Sequence, residues 1–113
     1  MYIIERTVVF DGWLDGLKDR TAQKRVAMRL TRIESGLLGD WKTLGDGISE
    51  LRIDHGPGYR IYFTRRDQRI IILLCGSDKG DQDRAIRQAR QMAKDLDIPL
   101  MTSPRPQRPG TTE

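Results

Sequence analysis

Three cations and one histidine within residues 52–79 are the side chains of this chain best suited to chemistry. Arg52 and Arg60 lie in two neighbouring runs of alternating apolar and polar residues, and Lys79 lies beyond a third run that is wholly apolar. Cations projected from a rigid sheet are suited to holding a phosphodiester. His55 is the only histidine, and histidine is the residue type that most readily exchanges a proton near neutral pH. It is a candidate proton donor or acceptor; the alternative is an exposed loop residue.

The alternation predicts the strands that position the two arginines. Apolar residues occupy every second position on either side of a Gly/Pro-rich break at 56–58, namely Leu51, Ile53, Tyr59, Ile61 and Phe63. A period of two is typical of half-buried strands, and such a break indicates a hairpin. We therefore expect Arg52, Arg60 and Tyr62 on the open face of a sheet. The alternative is that both arginines are ordinary solvent-side residues paired with Glu50 and Asp54.

Two amphipathic helices are predicted ahead of this hairpin, after an apolar strand over residues 2–5 at a sheet edge. The first helix presents Phe10, Trp13, Leu14 and Leu17, and the second presents Ala22, Val26, Leu30 and Ile33. Asp19 or Thr21 is expected to cap the second helix. Its outer faces carry Lys24, Arg25, Arg29 and Arg32. Residues 36–47 are expected to form a loop anchored by Trp41 and Leu44.

The remaining chain predicts a central strand, a helix and a tail. Residues 70–74 are apolar at every position, which indicates a strand buried on both faces. A helix is expected over residues 80–96, and the Pro-rich residues 97–113 are expected to form a disordered tail. The predicted fold is therefore one α+β domain over residues 1–96. An N-terminal strand and a helical hairpin precede a mainly antiparallel sheet of three to four strands and a C-terminal helix.

The net positive charge of the chain comes from its second half. Residues 1–56 hold nine basic and nine acidic residues, whereas residues 57–113 hold eleven and seven, which accounts for the net charge of +4. A basic surface suggests nucleic acid or an acidic protein as partner. The alternative is a solvated basic face without a partner.

Composition also limits the cellular setting. No apolar run approaches the roughly 20 residues that span a bilayer, and the N-terminus lacks the apolar region of a signal peptide. Cys75 is the single cysteine and has no partner for an internal disulfide. We therefore expect a cytoplasmic protein without a membrane partner. There is no Gly-rich loop with Walker spacing, and we expect neither a metal nor a cofactor.

Three motifs occur in the order and spacing of a known family. They are K-x-L-G-x-G-x-x-E-L-R-I at residues 42–53, G-P-G-Y-R-I-Y at 56–62, and L-L-x-G-x-D-K at 73–79. With these motifs the chain resembles the RelE/ParE superfamily of bacterial toxins, and within it the HigB-like addiction module killer proteins. The resemblance covers about residues 5–96. It implies the toxin of a type II toxin–antitoxin pair, inhibited by an antitoxin, usually a helix-turn-helix protein, encoded beside it.

The activity implied by the resemblance is ribosome-dependent cleavage of mRNA. The alternatives are ParE-like inhibition of DNA gyrase and a non-catalytic protein that only binds its antitoxin. Arg60 matches the family position most often held catalytic, and Arg52 and Lys79 match two further basic positions. His55 is the candidate for proton transfer. We expect substrate contacts from Tyr62, Arg65 and Arg66.

The chain departs from the family at two places. Some RNA-cutting relatives carry a tyrosine or histidine in the final helix, where this chain has Gln82, Asp83 and Gln88. Glu50 stands where those relatives have a second lysine on the strand. His55, Asp78 or Asp83 is therefore expected to take over proton transfer, unless the ribosome does more of the positioning or the activity differs.

Overall fold

A mixed five-stranded sheet with helices on both faces organises the protein. The computed structural model describes the backbone of residues 1–102 and the side chains of residues 1–96. In chain order the elements are β1 (Ile3–Arg6), α1 (Val8–Asp15), α2 (Arg20–Glu34), β2 (Trp41–Gly45), β3 (Ile48–Ile53), β4 (Tyr59–Arg66), β5 (Ile70–Asp78), a 3-10 turn (Lys79–Asp81) and α3 (Gln82–Thr102). The strand order is β1-β5-β4-β3-β2, in which only the β1–β5 pair is parallel. The predicted α+β fold and the edge position of the first strand are confirmed.

Local sequence explains where the two N-terminal helices begin. The Thr7 hydroxyl accepts a hydrogen bond from Phe10 N at the start of α1. Asp19 Oδ1 accepts hydrogen bonds from the backbone N–H groups of Thr21 and Ala22 and so caps α2. Such caps satisfy donors that have no partner within the helix. Of the two predicted caps, Asp19 is the one used.

The sheet has an apolar core on each face. The apolar face predicted for α2 is buried at all four positions, Ala22, Val26, Leu30 and Ile33. Phe10 of α1 lies in the same core. Residues of β5 alternate between this core and a second core under α3, with Ile71 and Leu73 in the first and Ile72 and Leu74 in the second. The prediction of a central strand buried on both faces is confirmed. Cys75 lies in the second core, where burial raises the pKa of its thiol to about 11.

Three details differ from the sequence predictions. Residues 41–45 of the expected loop form β2, which pairs with β3 at the edge of the sheet. The face of β4 that carries Tyr62 is not open, because α3 covers it and Tyr62 is fully buried. The last helix continues past residue 96 to Thr102, and residues 103–113 of the expected tail lie outside the described residues.

Within the described part of the chain, no helix combines the length and the apolar character needed to cross a membrane.

Candidate functional site

The hairpin of β3 and β4 places the two predicted arginines side by side. Arg52 and Arg60 are direct partners in the antiparallel register, one pair before the strands end at Ile53 and Tyr59. Arg60 is in turn the partner of Ser77 on β5, so Lys79 comes two residues after that pair. The sequence signal was the alternation, and the structure places the arginines as that alternation requires.

Lys79 lines the same cavity as the arginines because the hairpin turn lies next to it. Gly56 and Gly58 adopt the left-handed conformation, with φ of +57° and +83°, which glycine adopts without a steric cost. A Cβ atom at Gly58 would lie 3.9 Å from the Cβ of Lys79. Arg52, Arg60 and Lys79 therefore line one cavity of about 340 Å³, hereafter the cationic cavity. Its remaining walls are Asp40, Ile53, Asp54 and the turn from Gly56 to Gly58.

Glu50 lies buried behind the arginines. Its side chain is 2% exposed, and its Oε1 accepts a hydrogen bond from Arg52 Nε at 3.1 Å. Arg60 Nε lies 4.0 Å from Oε2, and Lys42 Nζ lies 4.0 Å from Oε1. A carboxylate taken out of water needs such partners, since an unpaired buried charge is very costly. The pairing of the arginines with Glu50 was one of the two alternatives in the sequence; the burial of Glu50 was not predicted.

Gln82 connects Arg60 to Lys79 from the first residue of α3. With the side-chain amide oriented so that both of its polar atoms have partners, Gln82 Oε1 accepts from Arg60 Nε at 3.2 Å and Nε2 donates to the backbone oxygen of Lys79 at 3.1 Å. Asp78 accepts a hydrogen bond from Gly80 N at 2.9 Å, as expected of a cap. The turn that presents Lys79 is thus held at both ends.

Arg29 of α2 supports the cationic cavity from the opposite side, a role that sequence reasoning missed. It was predicted to lie on an outer face of the helix. Instead it donates hydrogen bonds to the backbone oxygens of Leu38, Asp40 and Arg52, at 3.0, 2.7 and 2.7 Å. Burial lowers the pKa of Arg29. No sequence pattern signals these contacts, because they join residues 9 to 23 positions apart.

His55 is not brought to the cationic cavity. Its Nε2 lies 2.9 Å from Asp19 Oδ2, so its ring is tied to the N-terminal end of α2, and it does not line the cavity. The hydrogen bond with His55 is the main reason why the pKa of Asp19 lies below its ordinary value of 3.8. The acidic residues that do line the cavity are Asp40 and Asp54, and neither was among the predicted site residues.

Tyr62 is fully buried in the core under α3, so stacking of its ring on a base stays a prediction that would require this core to open. Its hydroxyl lies 3.2 Å from Ser77 Oγ. Burial raises the pKa of Tyr62 above its ordinary value, and the hydrogen bond with Ser77 opposes that rise. The residue is therefore part of the buried core under α3.

Arg65 and Arg66 lie apart from the cationic cavity. Arg65 is five residues from Arg60 along β4, about 17 Å for an extended strand. Its guanidinium donates to the Tyr2 hydroxyl at 2.5 Å and stacks over the rings of Tyr2 and Trp41. Arg66 pairs with Ile70 at the far end of the strand. Contacts of these two residues with a substrate stay a prediction for a surface separate from the cavity.

The cationic cavity brings opposite charges together around one space. Three basic and two acidic residues line a space of about 340 Å³, a volume large enough for a phosphodiester group. Cations in such a confined site favour a bound anion, and they favour a transition state with more negative charge still further. The described residues contain no group of three or more His, Cys, Asp and Glu side chains able to hold a metal ion.

Sequence similarity to known proteins extends over the whole of this site. The family described as phage-derived proteins, Gp49-like, matches residues 12–96, which include every residue that lines the cationic cavity. An uncharacterised protein of Haemophilus influenzae Rd is 44% identical over 95 residues, which are 84% of this chain and 96% of that protein. The similarity therefore extends over nearly the full length of that relative.

Proposed function

The chain belongs to the Gp49-like family of phage-derived proteins, a RelE-like toxin family of toxin–antitoxin systems, and on that premise we propose that it is a toxin that cleaves mRNA on the ribosome. Within the superfamily we assign it to the HigB-like branch. The observation that carries the proposal is the convergence of Arg52, Arg60 and Lys79 on one cavity.

The three cations suit the charge change of RNA cleavage. Attack of the 2′-hydroxyl on phosphorus adds negative charge to the non-bridging oxygens before the 5′-oxygen leaves. Arginine presents paired N–H donors that match two phosphate oxygens, and lysine supplies a compact positive charge. In the proposed mechanism Arg52 and Arg60 bind the scissile phosphate, and Lys79 neutralises the charge that develops on it.

Proton transfer in the proposed mechanism belongs to the carboxylates of the cavity. A general base must come within hydrogen-bonding distance of the proton that it removes. His55 is held by Asp19 outside the cavity, whereas Asp40 and Asp54 line it together with the arginines. We therefore assign removal of the 2′-hydroxyl proton to one of these two aspartates.

The family context includes an antitoxin as partner. We propose that this antitoxin is a helix-turn-helix protein encoded beside the toxin, and that the ribosome and its mRNA are the target. The net charge of +4 suits both, since an acidic antitoxin surface and ribosomal RNA are each attracted to a basic protein.

The test is induced expression without the antitoxin, followed by mapping of new mRNA 5′ ends. The wild-type chain is expected to arrest growth and to leave 5′ ends in register with codons. Arg60→Ala is expected to lower cleavage about 10²–10³-fold, the effect of removing one donor that stabilises transition-state charge. The domain is expected to stay folded, because Glu50 keeps its hydrogen bond from Arg52.

Arg69→Ala is the matched control, since it removes the same charge from an exposed position in the turn between β4 and β5. It is expected to leave growth arrest unchanged. Growth arrest with intact mRNA would overturn the proposal. An SOS response with gyrase-dependent DNA damage would favour the ParE-like activity instead, and the absence of any arrest would favour a protein that only binds its antitoxin.

A further inference from the structure

We propose that Glu50 is a positioning residue that fixes the guanidinium groups of Arg52 and Arg60 for phosphate binding. The consequence for RNA cleavage rests on the function proposed above; the effect on the arginines themselves does not. Glu50 lies on β3, between two neighbouring strands, with Lys42 of β2 and Tyr62 of β4 as its direct cross-strand partners. It is one of the three buried polar or charged residues of the described chain, and the only charged one.

The first step of the argument is the repulsion that Glu50 offsets. Arg52 and Arg60 are directly opposite each other on neighbouring strands, and like charges in this arrangement repel. An exposed pair would relieve this repulsion by turning apart into water. The Arg60 side chain is only 17% exposed and has little freedom to do so. A buried anion next to both arginines allows them to stay side by side.

The second step is that both arginines face the same carboxylate. Glu50 accepts a hydrogen bond from Arg52 Nε and forms an ion pair with Arg60, whose Nε lies 4.0 Å from Oε2 and donates its hydrogen bond to Gln82 Oε1 instead. Each guanidinium group has four further N–H donors on its two Nη atoms. Among the residues whose side chains are described, none accepts a hydrogen bond from the Nη atoms of either arginine. Those donors are left for the phosphate oxygens.

The third step separates positioning from simple charge. Loss of the Glu50 charge makes the cavity more positive, so electrostatics alone predicts tighter binding of any anion. A positioning role predicts that the transition state loses stabilisation, because the Nη donors no longer have a fixed direction. In Glu50→Gln, the loss of charge should tighten anion binding, whereas the loss of positioning should slow the cleavage step. A comparison of kcat with KM therefore distinguishes the two effects.

The experiment compares the full-length wild-type chain with Glu50→Gln, Glu50→Asp and, as the matched control, Glu34→Gln at the exposed end of α2. The Nε–Hε resonances of Arg52 and Arg60 are recorded by NMR without RNA and during a titration with inorganic phosphate. Single-turnover cleavage on programmed ribosomes gives the rate and the apparent affinity.

In Glu50→Gln both resonances are expected to shift and to exchange faster with water. The maximal cleavage rate should fall at least about tenfold, while phosphate and ribosome affinity stay the same or increase.

Glu50→Asp covers the case in which the glutamine variant does not fold. It keeps the charge but shortens the side chain by one methylene group, so the same resonances and the cleavage rate should change while the net charge does not. Arginine resonances that match the wild type in both Glu50 variants, or a cleavage rate within about twofold of the wild type, would overturn the proposal. If the wild-type chain cleaves no RNA, the proposed function fails, and the NMR comparison still decides the role of Glu50.

Discussion

Gly76→Ala tests whether Trp13 packs on the β5 backbone as the structure has it. Gly76 lies in β5 next to Ser77, the strand partner of Arg60. Its φ lies outside the left-handed region, so its backbone conformation does not require glycine. The constraint is space: a Cβ atom at this position would lie 2.4 Å from Cδ2 and Cε3 of the Trp13 ring.

The size of the effect follows from this distance. Carbon atoms pack at about 3.5–4.0 Å, so the ring would have to retreat by about 1.1–1.6 Å. Trp13 contacts Phe10 and Tyr59, with ring centroids 5.8 and 6.3 Å away, and the retreat would disturb both contacts. Overpacking of this kind costs about 1–3 kcal/mol. At about 4 °C per kcal/mol for a domain of this size, the melting temperature should fall by about 4–12 °C.

Thermal and urea denaturation, followed by near-UV circular dichroism, measure this loss. Gly12→Ala in α1 is the matched control, since nothing lies within 4 Å of its added Cβ; helix propensity predicts a gain of about 0.5–1 kcal/mol there. A Trp13→Leu background should remove most of the cost of Gly76→Ala, because the two residues are in contact. Wild-type stability of Gly76→Ala, or an equal cost in the Trp13→Leu background, would refute the packing argument.

Two further predictions concern Arg29, which supports the cationic cavity, and Asp19, which caps α2 and holds His55. Arg29→Met leaves three backbone oxygens without its hydrogen bonds and should cost about 2–4 kcal/mol in urea denaturation, whereas Arg25→Met at an exposed position should stay within about 0.5 kcal/mol. The pKa of Asp19 is lowered below 3.8 in the folded state, so its contribution to stability is complete above that pH and is lost as the pH falls through the lower folded-state value. Asp19→Asn should therefore weaken the loss of urea stability between about pH 5 and pH 2. His55→Ala should reduce this acid-induced loss of stability in part. If both variants lose urea stability at acid pH as steeply as the wild type, the loss does not come from Asp19.

Much of the fold could be predicted because its signals are local. The alternation from Leu51 to Phe63 set the strand pairing, and the pairing placed Arg52 opposite Arg60, because a shift by one residue would turn every apolar side chain away from the core. The spacing of Ala22, Val26, Leu30 and Ile33 likewise identified the buried face of α2. The short strand at residues 41–45 escaped prediction, since its conformation depends on pairing with β3 more than on its own residues.

The candidate site was predicted in part for the same reason. Arg52, Arg60 and Lys79 meet because strand register and a short turn determine their positions. His55 is adjacent to the arginines in sequence, yet its ring contacts Asp19, 36 residues earlier. Residues close in sequence have backbones that are close in space. The direction of each side chain depends instead on which partner from another element is within reach.

The sequence by itself determined the helices, every strand except that at residues 41–45, and the pair of arginines, because periodicity and register are properties of the local chain. Only the tertiary structure decided which of the faces are covered. Packing of α3 against β4 buried Tyr62, contacts from α2 turned Arg29 into a support of the cavity, and the sheet enclosed Glu50 behind two guanidinium groups. Burial of a charge depends on elements far apart in the chain, and it decides whether a carboxylate is a surface group or an internal counter-ion.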